Sequence, residues 1–140
     1  IFQDDLSIFS KIRDNIKAYG RLPRAAVVEK LKEADFSVLL RSEKERYAKA
    51  GFPTKVIESI SVSVPVIMNF TSDLGLYFTD RKNCIQVEND TIGKFREALI
   101  KAVSLSPEDK KELAQNAKSL AERCFNTTSY AKELERIIQK

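Results

Sequence analysis

Two stretches decide how this chain folds: Ala34-Asp35-Phe36-Ser37-Val38-Leu39-Leu40-Arg41, and further on Val64-Pro65-Val66-Ile67-Met68-Asn69. Each holds a short, nearly continuous run of apolar and β-branched residues. Runs of this kind are strands buried on both faces, the usual state of a parallel sheet covered by helices. Between them Pro53 opens a helix, with Val56, Ile57 and Ile60 on its inward side. The same grammar extends outward. Phe2, Leu6, Phe9, Ile12 and Ile16 recur at helical spacing, and Ile16 to Tyr19 reads as a short strand stopped by Gly20. Pro23 suits the first turn of a helix whose apolar face is Ala26, Val27, Leu31 and Ala34. A polar, charged loop runs from Arg41 to Ala50. A turn or short helix spans Asp73 to Phe78, and Cys84 to Val87 forms the last strand. Three amphipathic helices finish the chain: one marked by Ile92, Phe95, Leu99 and Ala102, one by Leu113, Ala117, Leu120 and Ala121, and one by Tyr130, Leu134, Ile137 and Ile138. The second opens on Ser106-Pro107-Glu108-Asp109.

Strand and helix alternate to about residue 90, which argues for βαβ units. The expectation is an α/β fold, Rossmann-like, in three α/β/α layers. It has a parallel sheet of about four strands, a helical C-terminal tail, and one domain over residues 1–140. A chain of 140 residues is long enough for one real core. No apolar run approaches the ~18 residues of a membrane span.

Composition removes several function classes. There is no histidine, which closes off Ser-His-Asp and Cys-His catalysis and most zinc or iron sites. No metal site is expected. Cys84 and Cys124 are too few for a disulfide framework and read as two unpaired buried thiols of a cytoplasmic protein. The net charge is +4, most of it in the first 50 residues, where 11 basic side chains face 8 acidic ones. No dense Lys/Arg stripe alternates with aromatics, so nucleic acid is not an expected partner. The excess suits a phosphate-bearing ligand, peripheral contact with the anionic inner face of a membrane, or plain solubility.

In a parallel α/β sheet, ligands bind where the strands end and the helices begin. The loop after the first strand is Gly20-Arg21-Leu22-Pro23-Arg24. The one after the third, Asn69-Phe70-Thr71-Ser72-Asp73, carries residues that cap a following turn. The loop after the second is the longest and ends in Gly51-Phe52-Pro53-Thr54-Lys55, directly at a helix start. Gly51 lets backbone approach a ligand, and Pro53 sets the entry angle. The free N–H groups near Thr54 and Lys55 make an anion site to which Lys55 adds a full charge. Thr54, Glu58 and Ser61 form a polar stripe on that helix. A carboxylate placed there accepts hydrogen bonds from adjacent hydroxyls, as on a ribose, or simply satisfies its own helix start.

These residues, from Ala34-Asp35-Phe36 through Gly51-Phe52-Pro53-Thr54-Lys55-Val56-Ile57-Glu58 to Val64-Pro65-Val66-Ile67, resemble the C-terminal, donor-binding domain of retaining GT-B glycosyltransferases of the group 1 type. Asn83 to Glu88 is similar to the strand that follows in that family, and Ser106 to Phe125 to its helical tail. The resemblance runs from about Ile16 to the C-terminus and is densest between Ala34 and Asn69. It implies retaining transfer of a sugar from a nucleotide-sugar donor, a UDP- or GDP-sugar, without a required metal or other cofactor, and a place in cell-surface polysaccharide or glycan biosynthesis. By position, Glu58 matches the glutamate that holds the donor ribose. Gly51, Phe52, Pro53, Thr54 and Lys55 match the loop that meets the donor's sugar and phosphates. Arg21 and Leu22 match the loop that touches the base.

Two departures stand out. Many members carry a second glutamate eight positions before Glu58. Here that position is Ala50, with Glu43 and Glu45 nearby but off-register. The family's donor domain also begins with two further strands, one bearing a basic motif that grips the diphosphate, and a separate N-terminal domain binds the acceptor. The expectation is therefore an N-terminally truncated donor half, inactive alone. In the family's order the absent strands lie between Ile16 and Phe36, so those two strands become neighbours or leave an open edge. An open edge invites pairing with a second copy. The alternative is a non-enzymatic α/β binding or interaction module that kept the sheet and lost the chemistry. Ala50 and the missing basic strand favour it.

Overall fold

A computed structural model describes residues 15–138. The helix expected from Phe2 lies outside these residues as far as position 14. Among the described residues seven helices and three strands follow one another: α1 (Arg24–Lys32), β1 (Ser37–Leu39), α2 (Arg46–Ala50), α3 (Thr54–Ser61), β2 (Val66–Asn69), α4 (Leu74–Tyr77), β3 (Ile85–Val87), α5 (Ile92–Val103), α6 (Pro107–Cys124) and α7 (Thr127–Ile138).

The sheet is parallel with order β1-β2-β3. Ser37 pairs with Val66 and Leu39 with Met68, and on the far side of β2 Ile67 pairs with Ile85 and Asn69 with Val87. Every residue of β2 is buried, as its unbroken apolar run requires. Alternate side chains divide between two cores. Val66 and Met68 pack with Val56 and Ile60 of α3, Leu74, Phe78, Cys84, and Ala117, Leu120 and Ala121 of α6. Ile67, Ile85 and Val87 pack with Ala98 and Ala102 of α5 and with Leu113. The three-layer α/β/α arrangement expected from the sequence is thus present. α3 lies against α6, and α5 lies against β3.

Local chemistry fixes the ends. Ser106 caps α6: its Oγ accepts from the Asp109 N–H at 3.0 Å and donates to the Asp109 carboxylate at 2.9 Å, with Pro107 in the first turn. Thr91 caps α5 through the Lys94 N–H. Buried Ser59 ties α3 to the sheet. Its hydroxyl donates to the Val64 carbonyl at 2.7 Å and receives the Ser37 hydroxyl at 2.6 Å.

Several expectations need correction. The sheet has three strands among the described residues, not about four. Ile16 to Tyr19 is not a strand; Ile16 and Tyr19 are exposed, and Tyr19 instead lies under the ammonium groups of Lys17 and Lys30. The physical reason is that a strand needs a ladder partner, and none of the described strands pairs with this segment. It does not become β1's neighbour. The outer edge of β1 takes no partner among the described residues, and Val38 there is 51% exposed. α1 forms as expected, yet none of its residues is buried. In α5 the buried residues are Ala98 and Ala102, while Ile92 and Leu99 are exposed. In α3, Val56 and Ile60 are buried, whereas Ile57 is only half-buried. Cys124 is half-buried rather than buried, and neither cysteine is paired. The segment read as a polar loop contains α2. Ile137 and Ile138 of α7 are exposed; the side chains of Tyr130 and Leu134 lie outside those described.

Candidate functional site

The carboxyl ends of β1 and β2 lie side by side, and one residue pair holds them there. Asn69, the last residue of β2, is buried. Its Oδ1 accepts from the Arg41 N–H at 3.0 Å and its Nδ2 donates to the Arg41 carbonyl at 2.8 Å. The amide thus extends the ladder past the last residue of β1. From that fixed backbone the Arg41 side chain reaches across the next loop. Its guanidinium donates to the Gly51 carbonyl at 2.7 Å and to the Tyr47 carbonyl at 2.8 Å, and lies 5.3 Å from the Tyr47 ring centroid. Arg41 closes residues 42–51 into one compact excursion and satisfies carbonyls at the end of α2. α3 therefore starts at a defined place.

Each residue nominated from the sequence can now be placed. Gly51 follows α2 with an extended φ of −134°. A side chain there would meet nothing nearer than the Tyr47 carbonyl at 3.7 Å, an ordinary contact, so this backbone itself does not demand glycine. Phe52 turns inward. Its ring stands 5.7 Å from that of Tyr77 and 5.2 Å from that of Phe125, so the half-buried side chain anchors the loop. Pro53 is buried in the N-cap position of α3, with extended φ and ψ. No side chain caps the first turn of α3, and Thr54 and Lys55 are exposed there. Thr54, Glu58 and Ser61 all face solvent, so the polar stripe exists; the Ser61 hydroxyl donates to the Ile57 carbonyl at 2.6 Å. Arg21 is exposed and Leu22 half-buried, three and two residues before Arg24. Arg24, at the start of α1, reaches Glu58 with a guanidinium-to-carboxylate distance of 4.0 Å. The Glu58 side chain remains 48% exposed, which leaves its carboxylate open to a ligand and the pair weak in energy.

Two recesses involve these elements. One, of about 210 Å³, is lined by Lys55 and Glu58 of α3 with Val27 and Leu31 of α1 and Val38 of β1. It brings together the nominated charges, Lys55 and Glu58, beneath Arg24's helix. The second, also about 210 Å³, lies past the end of β2 between Phe70, Thr71 and Ser72 on one side and Glu43, Ala48 and Lys49 on the other. Sequence reasoning missed Arg24, Arg41 and Asn69 as site-building residues. Only the position of Arg41 and Asn69 at the carboxyl ends of the two strand candidates hinted at them. Among the described residues no three His, Cys, Asp or Glu side chains gather as metal ligands, and no helix is long and apolar enough to cross a membrane.

The arrangement offers uncapped helix amides, a lysine, and a carboxylate one turn on, all at the carboxyl side of a parallel sheet. Such a surface takes an anionic group at the helix start and hydroxyls at the carboxylate. The family described as glycosyl transferases group 1 matches residues 5–120. No curated protein matches the chain. The match spans all three described strands, the strapped loop, α5 and most of α6. On these grounds the chain belongs to the group 1 glycosyltransferase family.

Proposed function

We propose that this end of the sheet is the donor-binding face of a retaining glycosyltransferase, taking a UDP- or GDP-sugar for assembly of a polysaccharide or other glycan. The observation that carries the reading is the strapped loop. Arg41 and Asn69 fix residues 42–51 so that α3 presents an uncapped N-terminus, Lys55 and the exposed Glu58 together. The diphosphate sits at the amides of Thr54 and Lys55, where the helix dipole and the ammonium favour negative charge. Glu58 accepts from the ribose hydroxyls, and Arg24 keeps its carboxylate turned to that side. Arg21 and Leu22 take the base. Neither a metal nor another cofactor is needed to hold the donor in this arrangement.

The described residues form one wall of a cleft. Transfer requires the acceptor to be held against the donor, since positioning supplies much of the rate. In this reading an acceptor-binding domain outside the 140 residues provides the second wall, and the isolated chain binds donor without transferring it. Pairing of the open β1 edge with a second copy belongs to the same reading; a chain that stays monomeric in sedimentation at high concentration removes that part.

Calorimetric titration tests the core of the proposal. UDP or GDP should bind the unsubstituted chain, and Glu58→Ala should weaken that binding about tenfold, the loss of one to two hydrogen bonds to a charged group. Binding untouched by Glu58→Ala would falsify the ribose role. The non-enzymatic alternative is favoured by Ala50, which is exposed and brings no carboxylate. It gains if neither nucleotide binds.

A further inference from the structure

Helix α5 is apolar on two faces, and the sheet uses only one of them. Toward β3 it turns Ala98 and Ala102, with the half-buried Phe95 beside them. Away from the sheet it carries Leu99 and Ile100, both exposed, together with Ile92, 89% exposed, and Val103, 75% exposed. Single exposed aliphatics are ordinary on a protein surface. Four on one face of one helix make a contiguous patch of the kind that marks an interaction site. Their spacing is ordered. Ile92, Arg96, Leu99 and Val103 follow one another at intervals of four, three and four residues, which sets them in one line along the helix. That line is the d-a-d-a seam through which one helix packs on another in a coiled coil, with Arg96 its one polar member. Gly93 and Ile100 border it. A Cβ on Gly93 would meet nothing within 4 Å, so the fold leaves that end of the seam open to a close approach.

Charge narrows what covers this face. Of the basic side chains on α5, Lys94 lies between Glu88 and Glu97, at 2.7 and 3.1 Å, and Lys101 lies 3.7 Å from Asp80. Arg96 has no carboxylate partner among the described residues. A cation inside an apolar seam needs a carboxylate on the surface that covers it, because an unpaired buried charge is costly. The neighbouring residue of the same helix is such a group. Glu97 is mostly exposed and shares Lys94 with Glu88, so its carboxylate has room for a second donor. The seam is also symmetric about its own centre. Turned end for end, Ile92 falls opposite Val103, and Arg96 falls opposite Leu99, two residues from Glu97. We propose that α5 packs antiparallel on α5 of a second copy of this chain, Ile92 against Val103 and Arg96 paired with Glu97 across a two-fold axis. Every contact then occurs twice, as an isologous interface requires. The patch is on the order of a few hundred Å². A standard stable interface buries roughly 800 Å² per partner, so this association is weak and reversible. α5 lies across the sheet from α3 and at the far end of the strand order from the open edge of β1, so the surface proposed for the donor stays free. The inference does not depend on the donor reading.

Sedimentation velocity over a concentration series of the 140-residue chain tests this. The unsubstituted chain should pass from monomer to dimer with a Kd of about 10–300 µM, the weak end of specific association. Arg96→Glu sets like charges together and should raise that Kd at least tenfold. Arg96→Glu combined with Glu97→Arg should restore it, which neither a lipid surface nor an unrelated partner would do. Val103→Glu should abolish the dimer. These side chains are exposed, so the melting temperature of dilute samples should not change, and that measurement separates lost association from lost folding. Val38→Lys, on the open edge of β1, should leave this dimer intact. A chain that stays monomeric at about 1 mM overturns the assignment. So does a dimer that survives Val103→Glu, or a charge exchange that fails to rescue Arg96→Glu. A monomeric chain that floats with phosphatidylglycerol vesicles, and no longer does so as Val103→Glu, overturns it in favour of a lipid-facing helix.

Discussion

Cys84 is sealed against the sheet beside Met68 and Leu120. Burial first, and the Asp80 carboxylate second, push its thiol up to about 12. A thiol raised above its unfolded value, ~8.5, favours the folded state while both forms are protonated. That contribution is complete below pH ~8.5 and is lost as pH rises through the folded value. Two outcomes follow. At pH 8 an alkylating reagent should leave Cys84 unmodified in the native chain and modify it in denaturant, read by peptide mapping. Unfolding free energy should decline from pH 9 upward, and Cys84→Ala should flatten that decline. Rapid native labelling of Cys84 would contradict the sealed site. At this scale the sequence was legible where one property decides position. Leu113, Ala117, Leu120 and Ala121 are buried as their spacing demands. It was opaque where a partner decides. Nothing in the letter Arg41 says that its guanidinium will find the carbonyls of Tyr47 and Gly51, because those acceptors exist only once α2 has formed.

Among elements, the short α2 and the Arg41–Asn69 clamp show what periodicity cannot report. α2 buries only Ala48 and has no apolar face, so its residues read as a polar loop. α5 misleads in the opposite direction. Its alanines, not its isoleucines, face β3, since small side chains let the helix approach the sheet closely. The clamp couples two strand ends to the start of α3, and its energy is testable. Asn69→Ala leaves an Arg41 N–H and carbonyl without their partner and should cost about 2 kcal/mol. A melting temperature lower by roughly 5–10 °C checks this. The same substitution should weaken nucleotide binding although Asn69 is buried, because α3 loses its fixed origin. Unchanged stability would show that the clamp is decorative.

At the scale of the whole molecule, the three-layer plan could be read from two buried runs and the helices between them. The strand count could not, because a strand is a property of a pair: Ile16 to Tyr19 has strand-like residues and no ladder. Lys55 and Glu58 could be nominated from motif position, whereas the recess of Glu43 and Thr71 arises from two loops 28 residues apart in sequence. The order β1-β2-β3 also has a kinetic meaning. Joining Ile67 to Ile85 closes 18 residues of chain, and joining Ser37 to Val66 closes 29. By loop entropy the longer closure costs ~0.4 kcal/mol more, and it delivers a strand with one open edge. We expect β2, β3 and α5 to form the early folding unit and β1 to dock onto it. Pulse-labelling hydrogen exchange during refolding checks this: amides of Ile85–Val87 should gain protection before those of Ser37–Leu39, and the reverse order would refute it. The proposed donor face, hung from the end of β1, is then the last part of the molecule to exist during refolding and the first to come undone.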